Sequence, residues 1–172
     1  MDLEEFYSSL HANELARRDT INRGVSIPSA TLALLGGALF RAVTERPSPH
    51  NEIDALILAS SVGLAFLLIW VLYDIVKVAT GYSYALPATA KGWYDFYTNV
   101  CKEKYPIEAD ALLALAQSVK REHIRCATHN ALRNDTREEI LSRARRNLGF
   151  LLFGVLGLYA LVAIEKLFVL VN

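Results

Sequence analysis

The chain has only two cysteines, Cys101 and Cys126, and they do not form a CxxC pair. It also lacks a phosphate-binding glycine loop and the serine turn of a nucleophile elbow. Its histidines number four, and two of them, His123 and His129, would lie roughly 120° apart around a helix, a poor arrangement for a shared metal. We therefore expect no catalytic residues, no metal and no cofactor, and the sequence does not predict an enzyme.

Long apolar runs are what the sequence does contain. Residues 55–73 read ALILASSVGLAFLLIWVLY, without a single charge. At about 1.5 Å per residue, a helix of this length crosses the roughly 30 Å of a bilayer's hydrocarbon core. Residues 24–40 and 147–164 have the same character, close to the lower limit of about 17 residues for a span. The fold class predicted is an all-α membrane protein.

Four segments follow from these runs and from the apolar periodicity between them. We expect an N-terminal amphipathic helix and then a transmembrane hairpin, whose first span contains Pro28 and the Gly36–Gly37 pair and so favours a kink or a close helix contact. A helical cytoplasmic region follows, in which a helix beginning near Ile107 continues almost unbroken into a third, C-terminal transmembrane helix. The expected boundaries are 1–23, 24–80 (spans about 24–43 and 54–78), 81–146 and 147–172.

The distribution of basic residues predicts the orientation. Lysine and arginine are concentrated in 85–146, whereas the turn at 44–54, with its prolines and His50, contains only Arg46. By the positive-inside rule the N-terminus and residues 80–146 are cytoplasmic, and the 47–49 turn and the C-terminus are outside. Both cysteines then lie where thiols stay reduced, so we expect no disulfide.

Guanidinium, imidazole and amide groups are concentrated on the cytoplasmic helix that precedes the third span. Guanidinium groups bind phosphates bidentately, while amides and imidazoles read bases, which favours a nucleotide or oligonucleotide ligand. The alternative is that positive-inside bias alone placed these arginines, and that Glu122, Glu138 and Glu139 pair with them. The candidate ligand-binding residues are Lys120, Arg121, Arg125, His129, Asn130, Arg133, Asn134 and Arg137.

Small residues on the spans predict assembly. Three short spans make a thin bundle, and a neighbouring copy would cover their small faces and supply partners for buried amides such as Asn130 and Asn134. Asp74 and Lys77 stand at i, i+3 after the second span and can form an ion pair at the membrane edge; in an oligomer, Asp74 would instead give an acidic ring that selects cations. The candidate pore-lining residues are Ser60, Gly63, Asp74, Gly154 and Gly157.

The layout resembles a known class of proteins. The N-terminal DLEEFYSSLHANELARRDTINRG, the hairpin of two short spans, and ATHNALRNDTREEILSRARR before an apolar segment are similar to small bacterial membrane effectors of nucleotide-signalled antiviral systems. These are the effectors of the SLATT type and their relatives, including the channel effector of the Hailong system. The third span departs from a simple two-span arrangement.

The resemblance implies a homo-oligomeric channel in the bacterial inner (cytoplasmic) membrane. Its opening would depolarise the host membrane in antiviral defence, under the control of a nucleotide-derived ligand made by a partner enzyme. Its partners would be further copies of itself, the lipid bilayer and that ligand. The alternative is a non-conducting membrane scaffold or accessory subunit that recruits a cytoplasmic protein partner.

Overall fold

The computed structural model describes residues 3–44 and 52–171, with side chains described for 8–44 and 52–167. All regular secondary structure in these ranges is helical. The predicted turn with Pro47, Pro49 and His50 lies outside the described residues. The helices are α1 (Leu3–Gly24), α2 (Ser26–Thr44), α3 (Glu52–Thr80), α4 (Ala90–Phe96), a π-helical turn (Tyr97–Cys101), α5 (Lys102–Lys104) and α6 (Glu108–Val171).

Three helical stretches are long and apolar enough to cross a membrane: Ser8–Thr44, Glu52–Thr80 and Glu108–Leu167. The predicted fold class, an all-α membrane protein, is confirmed. The expected continuous helix into the third span is also confirmed, as α6. Thr136 does not cap a new helix within it, because its hydroxyl donates to the carbonyl of Leu132 one turn earlier, at 2.9 Å.

Between the second and third spans, a capping side chain and a proline determine where helices begin and end. The first helix after α3 begins at Ala90, because the side chain of Thr89 accepts the N–H of Gly92 at 3.2 Å and caps it. Helical structure then ends at Lys104, before Tyr105 and Pro106, as the preference of a residue before proline for extended backbone predicts.

The chain divides into two compact units. Unit 1 comprises Met1–Ile21 and Tyr82–Thr136, and unit 2 comprises Asn22–Gly81 and Arg137–Asn172. Unit 1 thus contains most of α1, the segment 82–89, the short helices and the first part of α6. Unit 2 contains α2, α3 and the rest of α6.

Unit 2 packs its three long helices around an apolar interior. One layer is formed by Leu32 and Leu35 of α2, Val71 and Ile75 of α3, and residues of α6 such as Leu151. The opposite faces are apolar as well: Phe40, Phe66 and Phe153 are 70%, 70% and 73% exposed. Helices that are apolar on all sides are typical of membrane spans, because their outer faces contact lipid. A second interior layer comprises Leu39, Ala42, Ile57 and Leu158.

Candidate functional site

Asn130 on α6 is fully buried, and its side-chain amide is paired with the backbone of Ala85. The N–H of Ala85 donates to Oδ1 at 2.9 Å, and Nδ2 donates to the carbonyl of Ala85 at 3.0 Å. This two-way pairing fixes which end of the amide carries the oxygen. Nδ2 also lies 3.5 Å from Nδ1 of His11 on α1. Asn130, a predicted ligand residue, therefore connects three segments of unit 1.

Asn134, one turn further along α6, is buried in the same way. The hydroxyl of Tyr84 donates to its Oδ1 at 2.5 Å, and its Nδ2 donates to the carbonyl and to Oε2 of Glu14, at 2.8 and 2.9 Å. From the sequence we expected that a neighbouring copy could supply the partners of both amides. In the structure, α1 and the 82–89 segment of the same chain supply them.

A third contact extends this connection along α1. Arg17 Nη2 lies 2.8 Å from Oδ1 of Asp135, and Arg17 Nη1 lies 3.7 Å from Oε2 of Glu14. The positions of His11, Glu14 and Arg17, three residues apart in turn, present them on one face of α1. We call this set of contacts, with Asn130, Asn134 and Asp135 on α6, the polar ladder.

Arg137, also a predicted ligand residue, belongs to unit 2 and is only 2% exposed. Its Nε donates to the carbonyl of Val78 at 2.9 Å, and its Nη2 donates to Oδ1 of Asn22. Val78 lies in the last turn of α3, where carbonyls have no helical partner. The observed role of this guanidinium is thus to cap α3 at its C-terminal end.

The exposed candidates are Arg121 and Arg125. Nε and Nη2 of Arg125 donate to the two carboxylate oxygens of Glu122 at 2.8 and 2.7 Å. These hydrogen bonds lower the pKa of Glu122 and raise the pKa of Arg125. Pairing with this glutamate, which the sequence analysis raised as an alternative, is therefore present at Arg125. Lys120 is half-buried and has a partner of its own.

Two other arginines of unit 1 lie on tyrosine rings. The guanidinium of Arg133 is 5.7 Å from the ring centroid of Tyr82, and that of Arg18 is 4.9 Å from Tyr84. Within the part of the chain that the structure describes, neither forms an ion pair. A cation–π contact uses the charge of a guanidinium without occupying all of its N–H groups, which can still donate to an anion. Arg18 was not predicted, because nothing in the spacing connects α1 with Tyr84.

His129, the remaining candidate, lies beside the same segment. Its Nε2 is 3.4 Å from the carbonyl oxygen of Ser83. The structure therefore brings His129, Arg133 and Arg18 to the segment 82–84.

His11 and His123 form a pair that the sequence analysis missed. Their ring centroids are 6.1 Å apart in an edge-to-face arrangement, and His11 is 7% exposed. Burial lowers the pKa of His11, and the proximity of His123 lowers it further. Nδ1 of His123 is buried and has no hydrogen-bond partner among the described residues. Within the described ranges, no three His, Cys, Asp or Glu side chains are arranged to hold a metal ion.

Asp74 in unit 2 is fully buried and pairs with Arg143 of α6, not with Lys77 as expected. Nε and Nη2 of Arg143 donate to the two carboxylate oxygens at 2.9 and 2.7 Å. The ammonium of Lys77 lies 5.9 Å from the ring centroid of Tyr73. The Asp74–Arg143 pair borders a cavity of about 630 Å³, whose other lining residues are Phe66, Ile69, Trp70 and Tyr73.

The glycines predicted to line a pore fall into two groups. A Cβ on Gly154 would lie 2.4 Å from Cδ2 of Leu64, so Gly154 allows α6 and α3 to approach closely within unit 2. A Cβ on Gly63 or Gly157 would meet no described residue within 4 Å. Ser60 is half-buried on α3. Gly63 and Gly157 therefore remain open on the protomer surface, whereas Gly154 and Asp74 are already engaged inside it.

Comparisons of the chain with protein-family models, with curated proteins and with solved structures find no match.

Proposed function

We propose that the protein is a homo-oligomeric membrane channel without enzymatic activity, an effector of bacterial antiviral defence that depolarises the inner (cytoplasmic) membrane. In this proposal the N-terminus and residues 80–146 are cytoplasmic and the C-terminus is outside. The observation that carries it concerns the space beside three glycines. A Cβ at Gly63 or Gly157, on two different spans, would meet no described residue within 4 Å, whereas a Cβ at Gly154 would collide with Leu64. Open small-residue positions on apolar helices favour close contact between spans of neighbouring copies.

Control of the channel by a nucleotide-derived ligand, made by a partner enzyme, is part of the same proposal. Its support is the chemistry around segment 82–84, where Arg18 and Arg133 lie over tyrosine rings and form no ion pair within the described residues. Guanidinium groups held in this way suit phosphate oxygens. Arg125, in contrast, donates two hydrogen bonds to Glu122, so its charge is partly neutralised and less available to a phosphate.

Membrane-potential measurements test the conducting function directly. Cells expressing the protein together with a candidate partner enzyme are expected to depolarise, and cells expressing either protein alone are not. Gly63→Leu and Gly157→Leu are expected to abolish both depolarisation and assembly, the latter measured by cross-linking in membranes. The matched control is Ala163→Leu, a site on α6 that is also exposed and lies roughly 120° around the helix from Gly157. An unchanged potential in every condition contradicts the channel.

Binding measurements on the full-length protein in nanodiscs test the ligand separately, with ATP, a cyclic dinucleotide and a short oligonucleotide as probes. Arg18→Gln and Arg133→Gln are each expected to weaken binding of the responsive probe at least tenfold, the effect of losing one charge-assisted hydrogen bond or two. Arg125→Gln is expected to have the smallest effect. Wild-type affinity in both Arg18→Gln and Arg133→Gln would show that these two arginines do not bind the ligand.

The second candidate, a non-conducting scaffold, is favoured by apolar side chains on unit 1. Tyr94, Leu113 and Leu132 are 68%, 58% and 66% exposed, although this unit lies outside the proposed spans. Such side chains suit a protein partner. Purification in mild detergent separates the two functions: a symmetric ring supports the channel, and a monomer that copurifies with a larger complex supports the scaffold.

A further inference from the structure

The contact between Nδ2 of Asn130 and Nδ1 of His11 depends on which of the two nitrogens carries a proton. Asn130 must place Oδ1 towards the N–H of Ala85, so its Nδ2 faces Nδ1 of His11. An amide nitrogen only donates, and Nδ1 of His11 accepts only when it carries no proton. A hydrogen bond across this contact therefore requires a neutral His11 imidazole with its proton on Nε2.

A proton added at Nδ1 would turn this contact into two opposed donors. It would also place a positive charge in a site that is 7% exposed and 6.1 Å from the ring of His123. The amide of Asn130 cannot turn over to compensate without giving up both hydrogen bonds to Ala85. Burial and the neighbouring imidazole already lower the pKa of His11, as this geometry requires.

Among the side chains that the structure describes, the carboxylates of α1 and α6 nearest to His11 in sequence or packing already have partners. Glu14 of α1 accepts from Asn134 and is paired with Arg17, and Glu122 of α6 accepts from Arg125. The segment 82–89 contributes Tyr84, whose hydroxyl is bonded to Asn134. The remaining charged or titratable groups on the facing part of α6 are Lys120, Arg121, His123, Cys126, His129, Arg133 and Asp135.

We propose that His11 is an acid-sensitive latch: the neutral imidazole holds α1 against α6 in unit 1, and its protonation releases α1. The other contacts of the polar ladder, at Glu14 and Arg17, involve no imidazole, so the latch lies in the contact between His11 and Asn130. The latch concerns the N-terminal helix alone and does not depend on whether the protein conducts.

The direction in which docking of α1 changes with pH follows from the linkage between proton binding and docking. The ordinary pKa of a histidine is 6.5, and that of His11 in the fold is lower, so the released α1 binds a proton before the docked one does. Docking of α1 is strongest above pH 6.5. It weakens by up to tenfold per pH unit as the pH falls from 6.5 towards the lowered pKa.

Hydrogen exchange on the full-length protein in nanodiscs tests the latch, with rates corrected for the intrinsic effect of pH. Protection of backbone amides in residues 8–21 is expected to fall by up to tenfold between pH 6.5 and 5.5, while protection of α3 stays constant. His11→Gln supplies a side-chain oxygen that accepts from Asn130 at any pH, and it is expected to abolish the change. The control is His129→Gln, which removes a half-buried imidazole of the same unit and is expected to retain it.

Two results would overturn the latch. One is protection of residues 8–21 that does not respond to pH in the wild-type protein. The other is a pH response that survives in His11→Gln, whatever happens in His129→Gln. If His11→Gln does not fold, imidazole nitrogen chemical shifts in the wild-type protein decide instead: His11 must carry its proton on Nε2 at pH 7.5, and a proton on Nδ1 refutes the proposal.

Discussion

Arg145 of α6 donates a hydrogen bond from Nη2 to the carbonyl of Gly24, at 3.2 Å. In a continuous helix this carbonyl would accept the N–H of residue 28, but residue 28 is a proline and has none. The break between α1 and α2 falls at the same place, at Val25. An arginine from another helix thus satisfies the carbonyl that Pro28 leaves without its helical donor.

Arg145→Met is therefore expected to lower the free energy of unfolding by about 1 kcal/mol, the typical net value of one such hydrogen bond. In a Pro28→Ala background, residue 28 can donate its own N–H, and the same substitution is expected to cost much less. A double-mutant cycle measured by denaturant unfolding in detergent checks this. Arg146→Met, which removes the neighbouring charge, is the control; an equal loss in both backgrounds would contradict the account.

The pair formed by Asp74 and Arg143 gives an asymmetric prediction. Arg143→Gln leaves the fully buried carboxylate of Asp74 without its charge partner, whereas Asp74→Asn leaves an arginine that is 40% exposed to solvent. We expect Arg143→Gln to destabilise unit 2 by about 2 kcal/mol, less than the roughly 3–5 kcal/mol of a fully buried pair because Arg143 is partly solvated. Asp74→Asn is expected to cost less.

The control for this prediction is Lys77→Gln, which tests the i, i+3 pair expected from the sequence and should leave stability unchanged. The double variant Asp74→Asn/Arg143→Gln replaces both charges by amides and is expected to recover part of the loss. Thermal unfolding in detergent measures all four variants. A larger loss of stability for Lys77→Gln than for Arg143→Gln would instead support an ion pair between Asp74 and Lys77.

Asp74 pairs with Arg143 and not with Lys77, and this difference shows which features of the structure could be predicted from the sequence. Long apolar runs and helical periodicity act locally, so they predicted the spans and the unbroken α6. The sequence likewise predicted that Asn130 and Asn134 are buried amides that need partners, and both are buried. Which group pairs with Asp74 depends instead on how α3 and α6 pack, and Lys77 was preferred because it is close in sequence.

The site depends on packing even more strongly. Arg18 stacks on Tyr84 and His11 meets His123 only because α1 folds back along α6 within unit 1. No pattern within a single helix reports such a contact. The same fold gives buried structural roles to Asn130, Asn134 and Arg137, which residue type alone suggested as ligand groups.

Gly154 and Gly157, one turn apart on α6, are expected to respond differently to enlargement. Gly154→Leu forces α6 away from Leu64 of α3, and overpacking of this kind costs about 1–3 kcal/mol. A Cβ at Gly157 meets no described residue within 4 Å, so the stability of Gly157→Leu is expected to stay near the wild-type value even where assembly is lost. Unfolding of detergent-solubilised monomers checks the pair; equal losses would mean that Gly157 is also packed within the protomer.

Asn134 anchors the polar ladder, since its amide bonds both Tyr84 and Glu14. Asn134→Ala removes these hydrogen bonds and leaves buried groups unpaired, so we expect unit 1 to lose about 2–3 kcal/mol. Hydrogen exchange in residues 8–21 measures this loss as faster exchange. Thr128→Ala, on the exposed face of the same helix, is the control and should leave exchange unchanged. Wild-type exchange in Asn134→Ala would show that the ladder does not hold α1.

Cys126 is fully buried, and burial, with Glu122 beside it, raises the pKa of its thiol above the ordinary value of 9.0. Only the thiolate reacts with alkylating reagents, and below the pKa its fraction rises tenfold per pH unit. In a Cys101→Ser background, we expect alkylation of Cys126 to be slow and to keep rising beyond pH 9. The control is Thr128→Cys in a chain lacking both native cysteines, because its exposed thiol should react rapidly and level off near pH 9. If both thiols level off at the same pH, the site around Cys126 is open to water.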